Sequence, residues 1–199
     1  MDDVIPGILH WKAIHPNIGA DVSSYLLTDS GTALDPILPE GEGPDWIGHD
    51  VQRIVLTVRH HRRSAPRWDV PVLVHRSGLH EFEGDDELDV QGYDTGDELA
   101  PGIRVLPFGR ICPDDAVLHI AAGPGVLAFG DGLLNYGRLG YPPDQYIGDD
   151  PEAIKADIVD GLVPLLDEDF DVLLFAHGEP VRSGGKAMLR EFVETRRNA

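Results

Sequence analysis

Short runs of apolar residues, separated by turns rich in glycine, proline and aspartate, dominate the first two thirds of the chain and predict β-strands. The predicted strands cover residues 8–14, 22–28, 32–34, 53–57, 71–75, 103–108, 116–121 and 126–129. The runs at 53–57 and 71–75 are almost entirely apolar, which is typical of strands buried on both faces. This part of the chain is therefore predicted to be dominantly β.

The last third of the chain changes character. Residues 149–152, Asp-Asp-Pro-Glu, supply a capping carboxylate, a proline for the first helical turn and an acidic side chain, which together predict a helix start. Gly161 and Pro164 predict a kink or a break in that helix. A further buried strand is predicted at 171–176, and Ser183 is predicted to cap a last helix. Strands followed by helices that alternate with a strand favour an α/β fold, a four-layer αββα sandwich with mixed sheets.

Composition adds limits on the cell compartment and on partners. The 199 residues fit one domain spanning 1–199, and Cys112 is the single cysteine, so neither an internal disulfide nor a cysteine-pair zinc site is expected. The acidic N-terminus and the lack of an apolar stretch of about eighteen residues favour a soluble protein without a membrane segment. A reducing compartment, the cytoplasm, is the simplest expectation.

The formal net charge of -19 arises from 35 acidic and 16 basic residues. Such a charge repels nucleic-acid phosphates and anionic membranes, so neither is expected as a partner. A carboxylate-rich surface of this kind resembles that of proteins from salt-loving microbes. The codon bias of a GC-rich genome explains it as well, and the choice between the two stays open.

Polar residues follow three of the buried strands directly. They lie at residues 57–64, at Gly130-Asp131 and at His177-Gly178. In α/β proteins, the loops after buried strands commonly carry the functional site, because the sheet fixes the backbone on which those loops stand. We therefore expect these three segments to meet at one edge of the fold.

Four segments, in order and over nearly the whole chain, resemble the metallo-β-lactamase superfamily. Residues 24–27 with 33–36 are similar to its opening hairpin, and residues 54–57 to the strand before its first metal motif. Residues 126–131 are similar to the strand whose Gly-Asp bridges two metals, and residues 173–181 to the final ligand segment. The resemblance implies the fold and, by inheritance, metal-dependent hydrolysis, although a fold alone does not define a reaction.

The first metal motif of that family, Thr followed by His-x-His-x-Asp-His, is where the chain departs. Counted from Thr57, the ligand positions are occupied by Val58, His60, Arg62 and Arg63, so that only one histidine is kept. Cys112 lies nearest the position of a further family histidine. The resemblance thus implies that the metal ligands are His60, Asp131 and His177, with Cys112 as a candidate fourth.

Three ligands and a water suffice for one catalytic metal ion, which is expected to be zinc, or else iron or manganese. Two ions are not expected, because arginine cannot coordinate a metal. A protein without any metal is the open alternative. In that alternative, Asp131 bonds loop amides and His177 is a hydrogen-bonded core histidine.

The arginines of the first loop suggest an anionic ligand. Arg59, Arg62 and Arg63 cluster beside the expected site, and guanidinium groups bind carboxylates and phosphates well. Pairing with surface carboxylates is the alternative. The leading hypothesis is hydrolysis of a small anionic ester, thioester or lactone, with His60, Asp131 and His177 as catalytic residues. The rivals are a metal-free binding or regulatory module with an arginine-rich anion pocket, and a structural subunit.

Overall fold

Two mixed β-sheets form the centre of the protein in a computed structural model that describes residues 1–198. The N-terminal sheet holds seven strands in chain order: β1 (Asp2–Ile5), β2 (Ile8–His15), β3 (Ala20–Leu27), β4 (Thr32–Leu34), β5 (Arg53–Leu56), β6 (Val72–His75) and β7 (Val90–Tyr93). Strands β1 to β4 are antiparallel neighbours, whereas β4 to β7 run parallel. The carboxyl ends of β4 to β7 consequently share one edge of the sheet.

The C-terminal sheet has the strand order β14-β11-β10-β9-β8. Its strands are β8 (Glu98–Ala100), β9 (Ile103–Leu106), β10 (Val117–Ile120), β11 (Val126–Phe129) and β14 (Val172–Phe175), and a separate two-stranded ribbon holds β12 (Leu134–Asn135) and β13 (Leu139–Gly140). Strand β14 joins β11 in parallel, and their register pairs Phe129 with Phe175. The other pairs in this sheet are antiparallel.

Alternating side chains give each sheet two apolar faces. Between the sheets, Val55 packs in one cluster with Leu118 and Leu174. Helices α1 (Pro151–Leu162) and α2 (Gly185–Arg197) cover the outer face of the C-terminal sheet. The outer face of the N-terminal sheet is covered by short 3-10 helices at Pro44–Ile47, Ala65–Arg67 and Arg76–Phe82. These layers confirm the predicted αββα sandwich, with short 3-10 helices forming the layer over the N-terminal sheet.

The two α-helices begin differently. Helix α1 starts as predicted, because Asp150 Oδ1 accepts the Ala153 N–H at 3.1 Å, and it ends at Leu162, before the proline. The prediction that Ser183 caps α2 is wrong. The capping residue is Gly184, whose N–H donates to Asp171 Oδ2 at 2.9 Å. Within the described chain, no helix is both long enough and apolar enough to cross a membrane.

Candidate metal centre

Three side chains from distant parts of the chain converge where β5, β11 and β14 end. His61, Asp131 and His177 each offer one ligand atom, and these atoms lie within 4.8 Å of one another. Asp131 Oδ1 is 3.1 Å from His61 Nε2 and 3.2 Å from His177 Nε2. The convergence of the three strand ends therefore creates a compact group of two imidazoles and one carboxylate.

Asp131 and His177 owe their proximity to the β11–β14 ladder. Because Phe129 pairs with Phe175, each of the two ligands stands two residues beyond a paired position. The loop that carries His177 is fixed further by Asn135, whose N–H donates to His177 O at 3.2 Å. The sequence predicts that these two side chains face one cleft, and in the structure they lie next to each other.

The imidazole from the first loop belongs to His61, whereas the sequence predicted His60. After β5, Thr57 and Val58 lead into a 3-10 helix at Arg59–Arg62. This turn directs His61 inward, 3.2 Å from the hydroxyl of Thr57, and leaves His60 exposed. The prediction rested on the spacing of the family motif counted from Thr57, whereas the 3-10 turn places the next residue, His61, at the site. His60 therefore lies outside the ligand group.

Asp35 fixes the orientation of the His61 ring. Its Oδ2 lies 3.0 Å from His61 Nδ1, and the same carboxylate accepts hydrogen bonds from the Thr57 N–H at 2.8 Å and from the Thr57 hydroxyl at 2.5 Å. With a carboxylate at Nδ1, that nitrogen carries the proton and Nε2 faces Asp131. This role of Asp35 was not predicted from the sequence. The available signal was an acidic residue directly after β4, the parallel neighbour of β5.

The charges of the group are strongly coupled. Burial and the Arg63 guanidinium would lower the pKa of His61, but Asp35 and Asp131 outweigh them and raise it to about 9. Burial would raise the pKa of Asp131, but the imidazoles of His61 and His177 hold it well below its usual range. Without a metal, His61 is therefore an imidazolium between two carboxylates at neutral pH.

The residues fit a single metal ion. Asp131 Oδ1 is buried and has no aligned hydrogen-bond donor anywhere in residues 1–198, although two imidazole nitrogens lie close to it. A buried carboxylate oxygen of this kind needs a partner, and a cation coordinated by the three side chains provides one. Two imidazoles and a carboxylate form a three-ligand set of the kind found in catalytic zinc sites, with the fourth position left for water.

Cys112 does not join the group, and Asp115 lies next to it instead. Burial raises the pKa of the Cys112 thiol, which disfavours the thiolate that a metal requires. Asp115 Oδ1 accepts the Asp131 N–H at 3.2 Å. Burial, with a further contribution from the charge of Asp131, raises the pKa of Asp115 to about 8. Cys112, the candidate fourth ligand, is therefore not part of the group, and Asp115 supports the loop that carries Asp131.

Two of the three arginines expected to bind substrate are paired with carboxylates. Arg59 Nη1 lies 3.1 Å from Asp114 Oδ1. Arg62 Nε donates to Asp85 Oδ2 at 2.7 Å, and its Nη2 donates to Glu87 Oε2 at 2.5 Å. The sequence left pairing with carboxylates open as an alternative for these arginines, and the contacts of Arg59 and Arg62 are of that kind. Neither guanidinium is left as an unpaired lining of an anion pocket in the described chain.

The third arginine, Arg63, turns into the protein. Its Nη1 donates to two backbone carbonyls, Ser23 O and Asp35 O, each at 2.8 Å. Nothing in these contacts resembles the exposed, forked presentation that an anionic substrate requires. Arg63 is thus placed to act on the protein itself.

Comparison with solved structures places the fold. No protein-family model matches the sequence, and a search of curated proteins also finds no match. A metallo-β-lactamase family protein from Thermus thermophilus has a TM-score of 0.68 at 17% identity, covering 98% of this chain and 81% of its own. For DIM-1 metallo-β-lactamase, the TM-score is 0.71 at 15% identity, with coverages of 98% and 96%.

A third structure, rubredoxin oxygen:oxidoreductase from Desulfovibrio gigas, has a TM-score of 0.68 at 15% identity, covering 97% of this chain and 60% of its own. Identities of this size show the fold alone. The protein has the metallo-β-lactamase fold, which confirms the fold that the sequence resemblance implied. The fold is shared by a β-lactamase and an oxidoreductase, so the reaction must be argued from the site.

Proposed function

We propose that the protein is a hydrolase that uses one metal ion, held by His61, Asp131 and His177. The observation that carries this proposal is the meeting of three ligand atoms from distant segments within 4.8 Å of one another, with both imidazole nitrogens within 3.2 Å of Asp131 Oδ1. Zinc suits a set of two imidazoles and a carboxylate, and iron or manganese are the alternatives. The metallo-β-lactamase fold supports the proposal, because two of the similar structures are described as metallo-β-lactamases or members of that family.

The residues of the chain prepare the site for such an ion. Asp35 accepts a hydrogen bond from His61 Nδ1–H, so a metal ion would displace only the Nε2 proton and would be bound by the Nε2 lone pair on the side of Asp131. The Asp131 carboxylate adds the negative charge that a divalent cation requires. When bound, the ion supplies Lewis acidity, which brings the pKa of a water molecule close to neutrality.

The substrate class is proposed to be a small ester, thioester or lactone with an anionic group. The anionic group has the weakest support, because Arg59 and Arg62 are paired with carboxylates and Arg63 binds backbone carbonyls. The cytoplasm is the proposed compartment, which a chain with one cysteine suits.

Metal content tests the proposal directly. Protein purified without chelator and loaded with zinc is analysed by mass spectrometry for wild type, His61→Ala, His177→Ala and the matched control His60→Ala. We expect about one ion per chain in wild type and in the control, and loss of the ion in the other two variants. Absence of zinc from the loaded wild type, or its loss only from the His60 variant, contradicts the proposal.

A metal-free binding protein is the second candidate. The imidazolium of His61 between Asp35 and Asp131 supports it, because that cation already offsets carboxylate charge without an ion. This candidate predicts that zinc leaves the melting temperature unchanged and that inorganic phosphate raises it. Stabilisation by zinc with no response to phosphate excludes it.

A further inference from the structure

Arg63 adopts a costly backbone conformation beside the metal centre. Among residues 1–198, the non-glycine residues with positive φ are Asp35, at 45°, and Arg63, at 37°. The two are in direct contact, since Arg63 Nη1 donates to Asp35 O at 2.8 Å. A non-glycine residue in this region of φ is strained, and the conformation persists only when its surroundings demand it. Both strained residues therefore belong to one constrained arrangement.

The guanidinium of Arg63 ties together three segments of the chain. Besides Asp35 O, it binds Ser23 O at 2.8 Å and Ala176 O at 3.5 Å. Ala176 directly precedes His177, and Asp35 is the residue that orients His61. One side chain thus connects the supports of two of the three ligands.

Ser23 extends this connection to the other side of His177. Its N–H donates to Ala176 O at 2.9 Å, and its hydroxyl donates to Gly178 O at 2.7 Å. The residues before and after His177 are therefore both held by Ser23, whose own carbonyl is held by Arg63. A loss of the guanidinium would loosen this arrangement at its centre.

Arg63 also brings a fixed charge. Burial lowers the pKa of Arg63, while the carboxylates of Asp35 and Asp131 act in the opposite direction. An arginine nevertheless stays protonated in proteins, so its charge is permanent. A permanent cation close to two carboxylates offsets part of their charge and disfavours a second divalent ion beside the first.

We propose that Arg63 is a positioning residue of the metal centre: its guanidinium holds Ser23, Asp35 and Ala176 so that His61 and His177 converge on Asp131. This inference rests on the proposed function, because it assumes that the three residues bind a metal ion. It goes beyond that function by assigning the precision of the ligand geometry to a side chain that binds neither metal nor substrate.

Zinc affinity tests the inference. The dissociation constant is measured by competition with a chromophoric chelator for wild type, Arg63→Met, Arg63→Lys and the matched control Arg62→Met, which loses only the contacts to Asp85 and Glu87. We expect Arg63→Met to weaken zinc binding by about 10–100-fold, as for other residues that orient ligands. Arg63→Lys keeps the charge without the fork and should recover part of the loss.

Cobalt absorption separates positioning from general stability. In the Co²⁺-loaded protein, the ligand-field bands report the geometry of the ligands, so we expect them to change in Arg63→Lys and to stay unchanged in Arg62→Met. If Arg63→Met does not fold, the lysine variant carries both measurements. Wild-type zinc affinity and cobalt bands in the Arg63 variants overturn the inference and leave the proposed function standing. No zinc binding by wild type overturns both.

Discussion

The two halves of the candidate metal centre are built on different principles. Asp131 and His177 follow paired strands, and the β11–β14 ladder sets their separation. His61 stands on a 3-10 turn and is held by the side chains of Asp35 and Thr57. A ladder of backbone hydrogen bonds can therefore be predicted from apolar runs in the sequence, whereas a network of side chains depends on contacts between distant residues.

The largest effect is expected where the backbone half is broken. Gly178 has a φ of 105°, and a Cβ at this position would overlap Asn135 O, which receives the Glu179 N–H at 2.8 Å. Gly178→Ala should therefore lower the free energy of unfolding by roughly 3 kcal/mol, combining backbone strain with displacement of the loop. Urea-induced unfolding measures this change.

Gly43→Ala is the control for that variant. Gly43 has a φ of -108°, and no atom lies within 4 Å of a Cβ built there. Its free energy of unfolding should stay within about 0.5 kcal/mol of wild type. Equal stability of the Gly178 and Gly43 variants would show that the His177 loop is not constrained as described.

The side-chain half is broken by Asp35→Asn. An amide has one acceptor oxygen, so it cannot accept the hydrogen bonds from His61 Nδ1–H, the Thr57 N–H and the Thr57 hydroxyl together, as the carboxylate does. Zinc affinity should fall by about 10–100-fold, because a carboxylate that is hydrogen-bonded to a ligating histidine fixes the orientation of its ring and raises its basicity. The exposed Asp86 offers the control Asp86→Asn, which should bind zinc as wild type does. A tight-binding Asp35 variant would contradict the role given to that carboxylate.

The last effect appears only in acid and concerns Ser23, which links the two halves. His10 Nε2 lies 2.9 Å from the Ser23 hydroxyl, which in turn donates to Gly178 O. Burial lowers the pKa of His10 from 6.5 to about 4. Because the unfolded chain then binds more protons, this histidine contributes stability above pH 6.5 that is lost as the pH falls towards 4.

Unfolding curves across that pH range measure the loss. His10→Gln should have a flatter dependence of stability on pH between 6.5 and 4, since the titrating group is gone. His49 is exposed, so His49→Gln should keep the wild-type slope. Identical slopes for wild type and the His10 variant would argue against a buried neutral imidazole.

The sequence predicts most of the fold because its signals are local. Apolar runs place β4 and β11 at their observed bounds, and Asp150 with Pro151 marks the start of α1. Short strands such as β7 and β8 were missed, since few apolar residues distinguish them from loops. Edge strands of this kind are defined mainly by their neighbours in the sheet.

The site was predicted only where strands determine it. Asp131 and His177 come directly after buried strands, whereas His60 was predicted from the spacing of the family motif, and the 3-10 turn places His61 at the site instead. Asp115 was overlooked in favour of Cys112 for a similar reason, since both lie in an irregular loop before β10. In such loops, residue type suggests chemistry, but only tertiary contacts decide which side chain faces inward.

The pairing of β11 with β14 sets the spacing of Asp131 and His177 independently of the chain between the two strands. Phe129 and Phe175 stay paired whatever the intervening connection does, provided that the ladder forms. The turn at residues 136–138, between β12 and β13, is exposed and belongs to that connection. Selection can therefore lengthen or change this turn while the spacing of the two ligands is preserved.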